Sequence, residues 1–451
     1  MSDDFLTSEQ TENYGRYVAE PNEVQLARYF HLDERDLAFI NQRRGKHNRL
    51  GIALQLTTAR FLGTFLPDPL QIPSFIRFYI AAQLNISRPE ILSRYAEREN
   101  TRWEHQGLIK LYYDYHDFGD FPWTFRLKRL LYTRAWLSNE RPGLLFDFAT
   151  AWLLQNKILL PAASTLTRLI GEVRERASRR LWRRLALLPD SWQKTQLDGL
   201  LEIPEGQRIS VLEEMRKGPV TISGPSFTDA LERYTRLRSM EFSRLNFSGL
   251  PAIQLRNLAR YAGMASVKYI SRMPDERRLA VLTAFVKAQE ISALDEAVDV
   301  LDMLILDITR SAKNIGQKKR LRTLKDLDRA ALLLARACTL LLDENTDEAA
   351  LRQAIFRRIP KDKLAESVGK VNELARPQDT HFQDEMVEQY GRVKRFLSAM
   401  LRDLHFQAAP AGELTLSAIH YLAELSGSKK RILDDAPEQI ISGPWKRLVY
   451  D

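Results

Sequence analysis

The sequence predicts an all-α protein built from several helical modules, and three observations carry that prediction. Apolar residues recur at helical spacing, as in Leu279, Leu282, Phe285 and Val286, or Val298, Leu301, Leu304, Ile305 and Ile308. Alternating apolar and polar stretches closed by tight turns, the mark of strands, are scarce. Proline and glycine breaks at 66–69, 117–122, 141–143, 217–219 and 223–225 cut the chain into helix-sized lengths. At about 150 residues per domain, the 451 residues suggest roughly three domains.

The composition excludes several classes. A 44% hydrophobic share is enough for a sizeable core. Lys plus Arg number 67 against 58 Asp plus Glu, a net charge of +9 that favours a polyanionic partner only where the charge is clustered. A single cysteine, Cys338, rules out an internal disulfide framework and any multi-cysteine metal site. It lies in an apolar helical stretch and is expected to be a packed core thiol. Asp3, Asp4, Glu9 and Glu12 precede the first basic residue, Arg16, unlike a signal or transit peptide. The longest apolar run, near 337–342, is broken upstream by Arg336 and is too short to span a bilayer. A soluble, intracellular protein with no membrane partner is expected, with residues 1–20 a mobile acidic tail.

From about residue 21 the chain repeats a theme. The stretch Phe30, Leu32, Asp33, Asp36, Leu37 is echoed by Leu84, Ile86, Ser87, Glu90, Ile91 at a constant offset of 54 residues. In each copy an apolar helix (24–30; 75–84) meets a short turn, and Asp33 or Ser87 is placed to cap a second helix. A third helix is expected after Arg44 and after Arg98. This is the pattern of a helix-turn-helix, although plain helical hairpins share it.

Basic residues cluster in three places. Arg43, Arg44, Lys46 and Arg49 crowd the start of one expected helix, beside Asn48, and a helix N-terminus favours phosphate. Arg168, Arg174, Arg176, Arg179, Arg180, Arg183 and Arg184 share a second helix with two glutamates, opposite an apolar face of Leu169, Val173, Ala177 and Leu181. Arginine suits bidentate contacts to guanine or phosphate. Lys313, Lys318, Lys319, Arg320, Arg322 and Lys325 form a third cluster around 314–317, expected to be a flexible break and a solvated charged loop. Trp103, Tyr112, Tyr113, Tyr115, Trp123, Tyr132, Trp136, Trp152 and Trp182 are read as core, with base stacking as the alternative.

The chemistry of catalysis is missing from the pattern. No phosphate-binding glycine loop, nucleophile elbow or His-Glu-x-x-His occurs. The seven histidines are scattered, and His105 is expected to be a satisfied structural histidine. Asp295, Asp299 and Asp302 would share a helix face, but two-metal sites draw carboxylates from converging elements, so an exposed or partner-facing acidic face is expected.

The residues quoted, above all Arg43-Arg44-Gly45, Asn48-Arg49-Leu50-Gly51 and Ala53-Leu54-Gln55-Leu56, resemble the N-terminal region of Tn-three-family replicative transposases. The likeness continues through Ala82-Gln83-Leu84, Tyr95, Arg98, Arg102 and His105. It runs on through Leu166, Arg168 to Ile170, Arg174 to Trp182, Tyr261, 294–302 and 436–449. Members of that family are about twice as long and carry an Asp-Asp-Glu triad on an RNase H-like domain in the C-terminal half. The resemblance therefore implies a non-catalytic N-terminal portion, whether trimmed, truncated or split from the rest. No cofactor is expected in it, magnesium serving the other half.

The resemblance further implies binding of double-stranded terminal inverted-repeat DNA. The expected organisation is a flexible tail over 1–20 and a first helix-turn-helix-type DNA-binding domain over 21–118. A second helical DNA-binding domain with the arginine-rich helix follows over 119–216, then a helical scaffold or dimerisation region over 217–451. The expected DNA contacts are Arg43, Arg44, Lys46, Asn48, Arg49, Arg98, Arg102, the seven arginines of 168–184, and Lys318, Lys319 and Arg320. A homodimer or a pairing with full-length transposase is expected, in the cytoplasm on the nucleoid. The competing reading is a regulatory scaffold that dimerises with full-length copies; a nuclease is the third.

Overall fold

The computed structural model describes residues 5–343, 350–374 and 381–426, except the side chains at 320–324, 326, 373–374 and 381–384. Among the described residues the protein is all-α, with one isolated parallel bridge between His116 and Ile158 and no strand. It divides into two compact units, Met1–Asp190 with Asn246–Phe285, and Ser191–Leu245 with Val286–Asp451.

The first unit holds three cores. The first core lies under the repeated theme. A helical turn Glu23–Gln25 continues as a π-helical turn over Leu26–Phe30. Asp33 then caps Glu34–Asn41, with Asp36 reaching back to the Asp33 N–H as a capping box. The 17-residue helix Lys46–Leu62 follows, its middle buried on all sides. The second copy departs from the expectation. Ser87 caps nothing: Arg88 stands at the start of a 3-10 turn, Pro89–Ile91, that leads into Leu92–Ala96. Pro89 takes the first helical position, where its missing N–H is no loss. The expected third helices are both present, as Lys46–Leu62 and Glu99–Tyr113.

The second core sits among Trp123–Leu137, Pro142–Gln155 and Ala163–Ala186, centred on Leu127, Leu131, Phe146 and Ile170. The far half of Ala163–Ala186 enters a third, in which Leu181 and Leu185 meet Ala280, Trp136, Trp182 and Leu255. The bridge at His116, the Leu160 N–H to Gly63 C=O bond at 2.8 Å, and Lys157 Nζ to Tyr113 C=O at 3.1 Å tie the first core to the second.

The segment expected to be a mobile tail is packed from Phe5 onward. Ser8–Asn13 is a helix with a capping box at Thr7. Phe5 and Tyr14 set their rings on Phe146 at 6.3 and 5.2 Å. Tyr17 stacks on Phe61 at 5.7 Å and hydrogen-bonds Thr58 at 2.9 Å. Three aromatics spaced along an acidic stretch outweigh its polarity.

In the second unit Gly224–Ser239 packs along Tyr390–Asp403, with Phe227 against Phe396 at 5.7 Å. The buried Arg233 donates to the Lys217 carbonyl and to Glu296. Asp275–Leu341 is one 67-residue helix, its residues up to Phe285 counted with the first unit and the rest with the second. It runs through 314–317 without a break, correcting the expected flexible loop: Asn314 and Gly316 are tolerated inside a long helix. Cys338 is exposed on it, not packed in a core, because the helix buries Ala337 and Leu340 on the opposite side. No described helix is long and apolar enough to cross a membrane.

Candidate nucleic-acid interface

The first basic cluster is a turn held by its own side chains. Gly45 sits at φ +82°, and a Cβ there would meet the His47 ring at 2.9 Å. Arg49 Nε donates to the Arg43 carbonyl at 2.9 Å and Nη2 to the Asn41 carbonyl at 3.3 Å. Asn48 Nδ2 donates to the Arg44 carbonyl at 2.9 Å. Arg43 lies over the Phe39 ring at 5.5 Å. Arg49, Asn48 and Arg43 thus shape the turn, while Arg44 and Lys46 stand exposed at the start of Lys46–Leu62. No side chain caps that helix start, so its free N–H groups add to the positive field.

Behind the turn lies a buried polar relay. Gln55 Nε2 donates to the Tyr95 hydroxyl at 2.8 Å, which leaves that hydroxyl's hydrogen for His105 Nδ1 at 3.0 Å. Burial, with the nearby Arg43 charge adding to it, pushes the His105 imidazole down to about 4. The histidine is neutral and structural, as its position on the helix suggests. Gly51 admits this arrangement, because a Cβ there would sit 2.4 Å from the Tyr95 ring. Of the two expected contacts nearby, Arg98 is exposed, whereas Arg102 donates to the Pro67 carbonyl at 2.6 Å.

The arginine helix, Ala163–Ala186, has its apolar stripe where the sequence puts it, with Leu169, Val173, Ala177 and Leu181 buried. Arg168, Arg176, Arg179, Arg180, Arg183 and Arg184 are exposed and Arg174 is half-buried, its desolvation lowering its pKa. Arg179 pairs with Glu175 at 2.8 Å and Arg183 approaches Glu276 at 3.7 Å. Arg180 donates to the Tyr132 hydroxyl at 3.1 Å and lies over Trp136 at 5.1 Å. Such exposed pairs are weak and give way readily to phosphate.

Sequence reading passed over the basic residues of Trp123–Leu137. Arg126, Lys128 and Arg129 are all exposed there, and Lys128 and Arg129 face the arginine helix across a groove of about 640 Å³ that Arg176 and Arg180 also line. The signal was present, three cations in four residues, with the apolar Phe125, Leu127 and Leu130 interleaved among them. The aromatics divide: Trp103 is 65% exposed, Tyr112 is exposed, Tyr113 is buried, and Trp123, Trp136, Trp152 and Trp182 are half-buried.

The third cluster lies in the second unit. Lys318 is exposed, but Lys319 binds Glu385 and Glu388 at 3.3 and 2.9 Å. The side chain of Arg320 lies outside the described residues. Among the described residues no group of three His, Cys, Asp or Glu is placed to hold a metal ion.

A family model described as a domain of unknown function, DUF4158, matches residues 5–173, which take in the first basic cluster and end inside the arginine helix at Val173, before six of its seven arginines. The chain is 78% identical over 451 residues to the transposase for transposon gamma-delta of Escherichia coli strain K12, covering 100% of this chain and 45% of that protein. The chain belongs to the Tn-three family of transposases. More distant members are similar along nearly all of it. The Enterococcus faecium transposase for Tn1546 is 26% identical over 99% of this chain and 45% of its own length. That for Tn3926 of Escherichia coli is 30% identical over 94% and 43%. The chain thus spans rather less than half the length of these Tn-three-family relatives, corresponding to their N-terminal part.

Proposed function

We propose that this chain is the end-recognising portion of a replicative transposase and binds the transposon's double-stranded terminal inverted repeats sequence-specifically. The observation that carries the reading is the arginine helix. A 24-residue helix anchored in two cores along one side presents six exposed arginines along the other. That is a rigid, multiply charged rod of the kind that lies along a groove or a phosphate ridge. Arg44 and Lys46, on the shaped turn of the first core, supply a second contact, with Arg98 exposed nearby in sequence to the Glu99–Tyr113 helix. Asn48, Arg49 and Arg102 serve by positioning, each donating to a backbone carbonyl, and Arg43 lies over the Phe39 ring while its Nη2 donates to Gln42.

In this reading the portion does no chemistry and needs no cofactor, and magnesium acts elsewhere in the enzyme. The partners are DNA and a further copy of the transposase. One observation favours self-association: Ile291, Val298 and Ile305 are about half exposed and recur every seven residues on the Asp275–Leu341 helix. Titrating a labelled terminal-repeat duplex against a scrambled one tests the DNA reading. Discrimination of about 4 kcal/mol or more is expected of a specific reader. Equal and weak affinity for the two duplexes overturns it and favours the scaffold reading.

A further inference from the structure

The groove between Trp123–Leu137 and Ala163–Ala186 has a make-up that duplex binding does not call for. Its floor is the apolar Leu169 and Val173, and on one wall stand Phe125, 62% exposed, and the half-buried Tyr132. Cations rim it from both helices: Lys128 and Arg129 on one, Arg176 and Arg180 on the other. The carboxylate in the lining, Glu172, lies 3.9 Å from Arg168, which offsets its charge. A large exposed phenylalanine beside an apolar floor is costly in water unless something covers it.

Charge and width decide what that occupant is. The rim of four cations calls for an anion. Two packed helices have axes about 8–10 Å apart, a slot too narrow for a duplex to enter. A duplex would in any case present only sugar and phosphate to the apolar floor. An unpaired nucleotide offers both halves of the match, a flat apolar face and a phosphate. Aromatic platforms lined with cations are how single strands are held.

We propose that this groove binds a short stretch of single-stranded DNA, with bases against Phe125 and Tyr132 and phosphates on Lys128, Arg129 and Arg176. The choice of nucleic acid over an acidic helix rests on the DNA reading of the arginine helix, whose Arg176 and Arg180 the groove shares.

The test uses the whole chain and a labelled thymidine oligomer of about ten nucleotides, followed by anisotropy at fixed salt. An abasic oligomer of equal length is run beside it. Wild type is expected to bind the thymidine oligomer about tenfold more tightly than the abasic one. Phe125→Ala removes that preference and Phe125→Tyr restores it, while both variants keep the wild-type melting temperature and duplex affinity. Lys128→Glu with Arg129→Glu weakens both oligomers.

Equal binding of thymidine and abasic oligomers, or an unchanged preference in Phe125→Ala, overturns the proposal and leaves an electrostatic surface. So does displacement of the thymidine oligomer by an acidic amphipathic peptide more readily than by unlabelled oligomer. The duplex arm stands apart: loss of terminal-repeat discrimination with oligomer binding intact refutes the duplex reading and spares this one.

Discussion

Tyr95, His105 and Gln55 show how closely the residues behind the first basic turn depend on one another. Gly51→Ala drives a methyl into the Tyr95 ring, and overpacking of this kind costs about 1–3 kcal/mol. Calorimetry should show a melting temperature lower by several degrees, whereas Gly107→Ala, with open space around its Cα, should show none. His105 carries a pH dependence. Its folded pKa, about 4, lies below the ordinary value of about 6.5. The neutral form is therefore the one the fold holds, and its contribution is complete above pH ~6.5 and is lost as pH falls through about 4. An imidazole NMR titration should place the His105 midpoint near 4; a midpoint near 6.5 would contradict the buried relay.

The second linked residue is Asp36, 1% exposed, bound by Arg60 at 2.5 and 2.7 Å and by the Tyr113 hydroxyl at 2.7 Å. Burial raises its pKa, but the Arg60 and Tyr113 hydrogen bonds and the Arg60 charge outweigh it and hold the carboxyl below its ordinary value. Its stabilisation is present above the unfolded carboxylate value and fades as pH falls toward the lower folded one. Asp36→Asn leaves Arg60 with an uncompensated charge and should cost roughly 3 kcal/mol, read as a lower urea midpoint at pH 7. Asp36 and His105 thus both make the first unit acid-sensitive.

At the scale of elements, the two helices that flank the groove were unequally legible. The apolar stripe of Ala163–Ala186 has a clean helical period, so both its buried face and its arginine face could be read from sequence. Trp123–Leu137 mixes cations with Phe125 and Leu130 that stay exposed, so its period is blurred and its basic face escaped notice. Ser87 misled because a capping residue and a proline two positions later compete for the same helix start, and the proline sets it. The N-terminal segment was read from its charge, whereas Phe5, Tyr14 and Tyr17 decide its position.

Two outcomes follow at this scale. Arg179→Glu with Arg183→Glu should weaken terminal-repeat binding and flatten its salt dependence while circular dichroism stays unchanged; unaltered affinity at fixed salt would make this face a solvated one. Tyr14→Ala should release the Ser8–Asn13 helix from Phe146, seen as faster amide exchange over residues 5–17 than in wild type.

For the whole molecule, sequence reading captured the all-α class and the family but not the way segments are shared between units. Asn246–Phe285 returns to the first unit after an excursion through Ser191–Leu245, and no local pattern announces such a return, because it depends on contacts far apart in sequence. Gln254, for example, donates to the carbonyls of Ala135 and Ser138 at 3.0 and 2.7 Å. Exposure on the long helix was equally hidden: Val298 and Ile305 fit its apolar period yet face outward, while Leu301, Leu304 and Ile308 are buried.

The central claim is that this chain reads transposon ends through an arginine helix. The measurement that meets it most directly is anisotropy of a labelled terminal-repeat duplex against a scrambled duplex, across a salt series. The account predicts a preference of about 4 kcal/mol or more for the terminal repeat. It also predicts a log–log salt slope that loses about 0.9 for each arginine contact removed. Equal and weak binding to both duplexes, with a slope that the arginine substitutions leave unchanged, would contradict it.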